Sequence, residues 1–414
     1  MIPGATAPGE TTGYIDALFT ATSAVCVTGL IVVPTATHWS VLGQSIILLL
    51  IQVGGLGIMT SSATVALLIG KRITLRERLV MQEAMGQYSI AGLVRLTRYI
   101  VAMTFLAEIV GGLLLFFRLR PILVDPAKSA WFSLFHSISA FCNAGFDIFG
   151  NSLESFVADW WINLTMMSLI VVGGIGFVVV FEVWNAKARW SKLSLHSKLA
   201  IGTTVVLLVV GTLTYLALEY TNPATLAQLE PGSRLLAAMF QSVTPRTAGF
   251  NTIPTSELRQ PSLLFTMGLM FIGASPGGTG GGVKTTTFIV LLLALQGVLC
   301  SKEACVARRR ISKQLIDKSM LIFGLAGLLV FFATFALTIT ETQPFLTLAF
   351  EAMSAFGTVG LSMGATSSLT TAGKIVIIIV MFAGRVGPLT VAMAVAQQKQ
   401  RAKFQYPEEK VVVG

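Results

Sequence analysis

Glycine closes four short phrases in this chain. Phe19–Leu30 reads FTATSAVCVTGL, Phe135–Phe146 reads FHSISAFCNAGF, Phe240–Phe250 reads FQSVTPRTAGF, and Phe350–Leu361 reads FEAMSAFGTVGL. Each opens with Phe, carries Ser or Thr four residues on, and ends in a Gly followed by Leu or Phe. The closing glycines Gly29, Gly145, Gly249 and Gly360 recur roughly every hundred residues, a period that marks duplicated units. The chemistry that suits such phrases is ion coordination. A K⁺ ion that sheds its water needs replacement oxygens, and backbone carbonyls aimed from several short loops supply them. Turning successive carbonyls one way strains the backbone, and Gly accepts that strain. The candidate coordinating residues are Val27, Thr28 and Gly29; Asn143, Ala144 and Gly145; Thr247, Ala248 and Gly249; and Thr358, Val359 and Gly360. One turn glycine would carry no message, but four in matched contexts do.

A second motif interrupts the longest apolar run: Gly273, Ala274, Ser275, Pro276, Gly277, Gly278, Thr279, Gly280, Gly281 and Gly282, followed by Val283 and Lys284. A phosphate-binding loop needs Gly directly before Lys, and here Val283 intervenes between flanks that read as membrane helix. A serine nucleophile at Ser275 lacks a base, because the three histidines, His38, His136 and His196, sit in other contexts. What is left is a broken helix whose freed backbone must face water or protein. That places a flexible loop, a candidate gate, beneath the coordinating phrases. Arg385 stands mid-span in the last apolar run, where a charge costs ~3 kcal/mol or more and needs a partner or a wet cavity. The sequence sets it against the broken helix as a further gate residue. Glu108, alone in its span, reads as a structural partner in preference to an ion site.

The elements that must position these residues are transmembrane helices. The 414-residue chain is 54% hydrophobic and 12% charged, half the charge of a soluble domain. Runs long enough to cross a bilayer, at ~20 residues each, are expected near 41–69, 99–117, 162–181, 199–218, 262–299, 319–340 and 375–396. Short stretches such as Trp131–Phe141 and Phe345–Phe356 read as re-entrant half-helices leading into their phrases. A recurring small-residue stretch, Val53–Gly57, Val172–Gly176, Ile272–Pro276 and Ala383–Gly387, follows each phrase; in the first two units close helix packing accounts for it.

The net charge of +10 gathers in four basic clusters. They hold Lys71, Arg72, Arg76 and Arg78; Lys187, Arg189, Lys192 and Lys198; Lys302, Arg308, Arg309, Arg310, Lys313 and Lys318; and Lys399, Arg401, Lys403 and Lys410. Each follows a span, which by the positive-inside rule makes those loops cytoplasmic and the phrases external. Nucleic acid is not the partner this distribution describes. The four cysteines suggest no disulfide framework: Cys26 and Cys142 hold equivalent places in two phrases, and Cys300 and Cys305 fall on the cytoplasmic, reducing side.

The expected fold is an all-α polytopic membrane protein of four tandem helix–pore loop–helix repeats in pseudo-fourfold arrangement. The units run 1–78, 79–186, 187–301 with the intramembrane loop at 273–284, and 302–414. The first has no leading span, and Met1-Ile2-Pro3-Gly4 reads as the tail of a linker leaving a truncated outer helix.

The four phrases, with TPRTAGFN at 244–251 and SAFGTVGLSMG at 354–364, resemble the Trk/Ktr/HKT superfamily of potassium transporters, and most of all the membrane subunits of bacterial Ktr systems. The resemblance covers nearly the whole chain, down to Tyr406-Pro407. It implies K⁺ uptake through a single-chain filter in the bacterial inner membrane, with K⁺ at the filter carbonyls and gating by the loop in the third inner helix and a nearby arginine. It also implies a homodimer and a cytosolic, nucleotide-binding, KtrA-like ring as regulator. No cofactor bound by this chain is expected, and Na⁺ enters as an activator. The rivals are a Na⁺-preferring or cation-symporting member of the same superfamily, a membrane-embedded enzyme, and a signalling scaffold. Glycine in all four phrases leans toward K⁺, because Na⁺-preferring plant relatives carry Ser in the first. The enzyme reading finds no cluster of His, Cys, Asp or Glu at catalytic spacing.

Overall fold

The structure is a computed structural model that describes residues 4–57, 93–307 and 309–387. Thirteen helices carry the architecture described here. They are α1 (Tyr14–Val25), α2 (Val41–Leu56), α3 (Leu93–Leu123), α4 (Pro126–Phe141), α5 (Trp160–Gly174), α6 (Phe177–Asn185), α7 (Leu195–Glu219), α8 (Pro231–Val243), α9 (Gln260–Phe271), α10 (Thr285–Leu299), α11 (Lys313–Thr340), α12 (Phe345–Gly357) and α13 (Thr371–Val386). Cys305–Val306 pairs with Arg309–Arg310 in a two-residue hairpin. The cluster from Lys71 to Arg78, Arg308, the tail from Lys399 to Lys410, and the distal parts of the runs 41–69 and 375–396 lie outside the described residues.

Among the described residues, three helices are long and apolar enough to cross a bilayer unbroken: α3, α7 and α11. They hold 31, 25 and 28 residues. At 1.5 Å per residue each exceeds the ~30 Å hydrocarbon thickness. Their outward faces are rich in exposed Leu, Val and Phe, for example Leu106, Val209 and Phe331, as lipid contact requires. The run 162–181 corrects the expectation of a single span. It divides into α5 and α6, bent by 97°, because Gly176 takes φ 101° between them. Gly57 after α2 and Gly387 after α13 take the same turn, at φ 82° and 97°. These glycines therefore end their helices, while close packing accounts for their neighbours in the same stretches: a Cβ on Gly54 would collide with the Val25 carbonyl and one on Gly173 with that of Phe141. The run 262–299 is broken as expected, into α9 and α10.

Four half-helices, α1, α4, α8 and α12, are 12, 16, 13 and 13 residues long, too short to cross. They differ from the expectation in one respect: each runs into its phrase, taking up most of it in the first, second and fourth units and Phe240–Val243 in the third. The helical spacing explains why. Phe and the Ser or Thr four residues on share one face, and Phe19, Phe135, Phe240 and Phe350 are fully buried. Asp125 caps the half-helix α4, accepting from the Ala127 amide at 2.9 Å, while Asp159 and Thr370 cap α5 and α13, accepting from Ile162 at 3.1 Å and Gly373 at 3.2 Å.

Carboxylates then lash each long helix to the start of the helix that follows its half-helix. Glu219, at the end of α7, accepts from Asn222 at 2.6 Å, from Thr225 at 2.8 Å, from the Arg259 amide at 2.9 Å, and from the Ser262 hydroxyl. Glu341, after α11, accepts from the Thr370 hydroxyl at 2.6 Å and the Thr370 amide at 3.1 Å. In the second unit the polarity is reversed, with Arg118 of α3 donating to Asp159 at 2.7 Å.

Candidate functional site

The half-helices end at one place. A Cβ built on Gly29 would collide with the Ala144 carbonyl oxygen and stand 3.1 Å from the Gly145 Cα. One on Gly145 would stand 2.9 Å from the Ala248 oxygen and 3.0 Å from the Gly249 Cα. One on Gly249 would collide with the Val359 oxygen, 3.3 Å from the Gly360 Cα, and one on Gly360 with the Thr28 oxygen, 3.0 Å from the Gly29 Cα. The four candidate triplets therefore meet in cyclic order, first to second to third to fourth to first. No side chain fits between one glycine and the next carbonyl.

The backbone explains how carbonyls line such a meeting. Gly29, Gly145, Gly249 and Gly360 have φ of 87°, 71°, 75° and 94°. The first residue of each triplet is left-handed too: Val27 at 57°, Asn143 at 60°, Thr247 at 71° and Thr358 at 49°. The middle residues, Thr28, Ala144, Ala248 and Val359, are not. Alternating the sign of φ turns successive peptide planes the same way, so neighbouring carbonyls point to one side and not to alternate sides as in a strand. Left-handed backbone at a non-glycine residue costs roughly 1–2 kcal/mol, and residues held in it mark functional sites more often than chance allows.

The half-helices hold the strain in place. The phrase Ser or Thr accepts, through its own carbonyl, from the amide of the middle triplet residue in every unit: Thr28 to Ser23 at 2.8 Å, Ala144 to Ser139 at 2.7 Å, Ala248 to Thr244 at 2.9 Å and Val359 to Ser354 at 2.9 Å. The hydroxyls work in two ways. Ser23 and Ser354 accept from the amides of Gly29 and Gly360 at 3.1 Å. Ser139 donates to the Phe146 carbonyl at 2.8 Å, and Thr244 donates to that of Phe250.

The polar residue that follows each opening Phe escaped the sequence reading. In two units it pins the chain leaving the triplet. His136 donates from Nδ1 to the Phe132 carbonyl at 2.7 Å and accepts at Nε2 from the Ile148 amide at 3.4 Å. Glu351, fully buried, accepts from the Thr366 hydroxyl at 2.9 Å and from Ser362. The available signal was that Thr20, His136, Gln241 and Glu351 are all polar inside apolar half-helices.

The loop from Gly273 to Lys284 folds under the triplets. Its stem is zipped where Gly273 donates to Val283 at 2.9 Å and Val283 to Phe271 at 3.2 Å. Its body is tied to the second unit, with Ser275 donating to Gly174 at 3.0 Å, Thr279 to Gly173 at 3.1 Å, and Phe177 to Gly277 at 3.0 Å. Toward the triplets, the Gly281 amide donates to the Thr358 hydroxyl at 2.9 Å, and Gly280 lies so close to the Thr247 hydroxyl that a Cβ has no room. Asn143 accepts from Thr247 at 3.2 Å while donating to the Ala140 and Ile170 carbonyls at 3.0 and 3.1 Å. Arg385 donates from one Nη to the Thr279 carbonyl and from the other to that of Gly54 in α2. The structure thus brings Arg385 to the loop, and adds the first unit as its second partner.

Glu108 lies behind the second triplet. It accepts from Gln52 at 3.3 Å and from the Cys142 thiol at 3.8 Å, and its backbone carbonyl accepts from Ser137 at 2.6 Å.

A family model described as TrkH, a cation transport protein, matches residues 4–406. Ktr system potassium uptake protein B of Bacillus subtilis (strain 168) is 45% identical over 402 residues, covering 97% of this chain and 90% of its own. The protein of the same name from Vibrio alginolyticus is 41% identical over 404 residues, covering 96% and 88%. Potassium/sodium uptake protein NtpJ of Enterococcus hirae is 40% identical over 413 residues, covering 98% and 91%. Among solved structures, the crystal structure of the potassium transporter TrkH from Vibrio parahaemolyticus matches with a TM-score of 0.74 at 19% identity, covering 93% of this chain and 79% of that one. At that identity the likeness is one of fold.

Proposed function

The chain belongs to the TrkH family of cation transport proteins, and from that membership we propose that it takes up potassium ions across the plasma membrane, as a multi-pass transporter and not an enzyme. Relatives of 45% and 41% identity named potassium uptake proteins support the ion. The observation that carries the mechanism is the cyclic approach of Gly29, Gly145, Gly249 and Gly360, each against the carbonyl preceding the next glycine. The four units, 1–78, 79–186, 187–301 and 302–414, are read as quadrants about one pseudo-fourfold axis. Residues 27–29, 143–145, 247–249 and 358–360 form the filter, whose carbonyls replace the hydration shell of K⁺. The loop 273–282 forms the gate, held shut by Arg385. A guanidinium has donors enough to clasp two carbonyls at once, charge-assisted bonds of this kind are strong, and a cation here repels K⁺ from the path.

The phrases face outward and the basic clusters inward, by the charge rule. The family resemblance extends this to a homodimer and a cytosolic, nucleotide-binding, KtrA-like ring. That ring docks on the face that holds Arg309 and Arg310. Reversing those two charges is expected to reduce co-purification with such a ring; full retention would leave them as topology signals alone.

Uptake of ⁸⁶Rb⁺ by proteoliposomes containing the purified chain tests the central reading. Accumulation that excess K⁺ abolishes and equal Na⁺ leaves largely intact is expected; no accumulation over protein-free liposomes would overturn it. The second reading, in which Na⁺ also permeates or activates, rests on the relative named a potassium/sodium uptake protein. Equal competition by Na⁺ would favour it.

A further inference from the structure

We propose that Lys284 is a second cationic clasp on the intramembrane loop, closing it together with Arg385. This inference rests on the reading of that loop as the gate.

Lys284 stands just beyond the loop's stem, where residues 272 and 283 pair. Its ammonium reaches back to donate to the Gly280 carbonyl at 2.7 Å. Arg385 donates to the carbonyl of Thr279. The two cations therefore hold consecutive peptide groups, in the segment that touches the Thr247 and Thr358 hydroxyls at the base of the filter.

The place is a poor one for a lysine on local grounds. Lys284 is the N-cap of α10 and makes no side-chain cap. The helix dipole disfavours a cation there, and Ser, Thr, Asp or Asn is the usual choice. Among the described residues, no carboxylate lies within ion-pairing distance of Lys284 or Arg385. Two like charges drawn to adjacent carbonyls in a low-dielectric surround repel each other. The Gly280 carbonyl offsets the desolvation of the ammonium, while Arg385 holds the Gly54 carbonyl of α2 as well as that of Thr279. A folded loop therefore satisfies the ammonium and one arm of the guanidinium, and a displaced loop leaves both of these to water. Loop closure is coupled to the two groups at once.

The experiment compares ⁸⁶Rb⁺ flux into proteoliposomes for the full-length parent, Lys284→Met, Lys284→Arg, and a chain lacking residues 277–281, at matched incorporation. Lys284→Met keeps the stem's length and apolar bulk but removes charge and donors. It is expected to raise flux about tenfold, the order associated with losing one charge-assisted hydrogen bond. Lys284→Arg is expected to stay near the parent. A merely structural role would lower flux, not raise it. If the loop deletion conducts faster while Lys284→Met does not, the clasp is overturned and the gate stands. If the loop deletion itself conducts no faster, the gate reading fails and the clasp with it. Should Lys284→Met not reach the membrane, Lys284→Gln carries the same expectation and the same grounds for rejection.

Discussion

Gly29 and Gly360 face each other across one junction of the proposed filter, at φ of 87° and 94°. Serine at either position meets two obstacles. Its Cβ disfavours left-handed backbone by roughly 1–2 kcal/mol, and it collides with the Ala144 carbonyl in one case and the Thr28 carbonyl in the other. In the proposed filter the carbonyls that must move are those that would replace water on the ion, so discrimination is expected to suffer before folding does. Gly29→Ser and Gly360→Ser are expected to lower K⁺ over Na⁺ preference about tenfold, the equivalent of ~1.4 kcal/mol. Competition of Na⁺ against ⁸⁶Rb⁺ uptake measures it, and two mutants that discriminate like the parent would remove the filter assignment. The glycines were legible in the sequence because their spacing and context recur. The left-handed Val27, Asn143, Thr247 and Thr358 were not. Three of the four are β-branched, the type least at ease with positive φ, so residue preference pointed away from them. The loop's contact with Arg385 was half legible. A mid-span charge demands a partner, which led to the broken helix, but nothing in the sequence pointed to Gly54 as the second acceptor.

Among elements, half-helices such as Trp131–Phe141 and Phe345–Phe356 were readable as apolar stretches too short to cross, and the three unbroken spans among the described residues from length and hydropathy. The division of α5 from α6 was not. Apolar residues continue across Ile175 and Phe177, and a glycine in an apolar run reads equally well as a packing contact. The buried carboxylates were also missed, because an acidic residue at the end of an apolar run looks like an ordinary helix terminus. Glu341 shows what such a residue does. It accepts from both the amide and the hydroxyl of Thr370, which caps α13, and α13 carries Arg385. Glu341→Ala removes the charge-assisted hydrogen bonds from Thr370, at a cost of about 1–3 kcal/mol. Its apparent melting temperature in detergent is expected to fall, with Glu341→Gln restoring most of it, since the amide oxygen still accepts. Equal melting of the parent and the alanine variant would show that the lashing contributes nothing to stability.

At the scale of the whole molecule, three junctions of the proposed ring join units that follow one another in the chain. The fourth joins the first unit to the last, with no peptide link across it. There Asp16, in the first turn of α1, receives Lys374 of α13 at 2.7 Å, with side chains 27% and 17% exposed. Exposed ion pairs contribute ~0–1 kcal/mol, and deep burial adds desolvation that can cancel the gain. A pair of intermediate exposure avoids both limits. At a junction without covalent support, it bears directly on how closely Gly360 approaches Thr28. Asp16→Asn and Lys374→Met are each expected to lower the apparent melting temperature and to weaken Na⁺ exclusion. The double variant should be less impaired than the sum of the two, by a coupling of about 1 kcal/mol. The cycle should be run at low and high ionic strength with choline chloride, because K⁺ that binds the native state stabilises it by mass action and would mask the effect. Coupling that shrinks with salt identifies it as electrostatic. Strict additivity at low salt would mean that the ring closes through packing of α1 against α13 alone, and the pair would then have no part in selectivity.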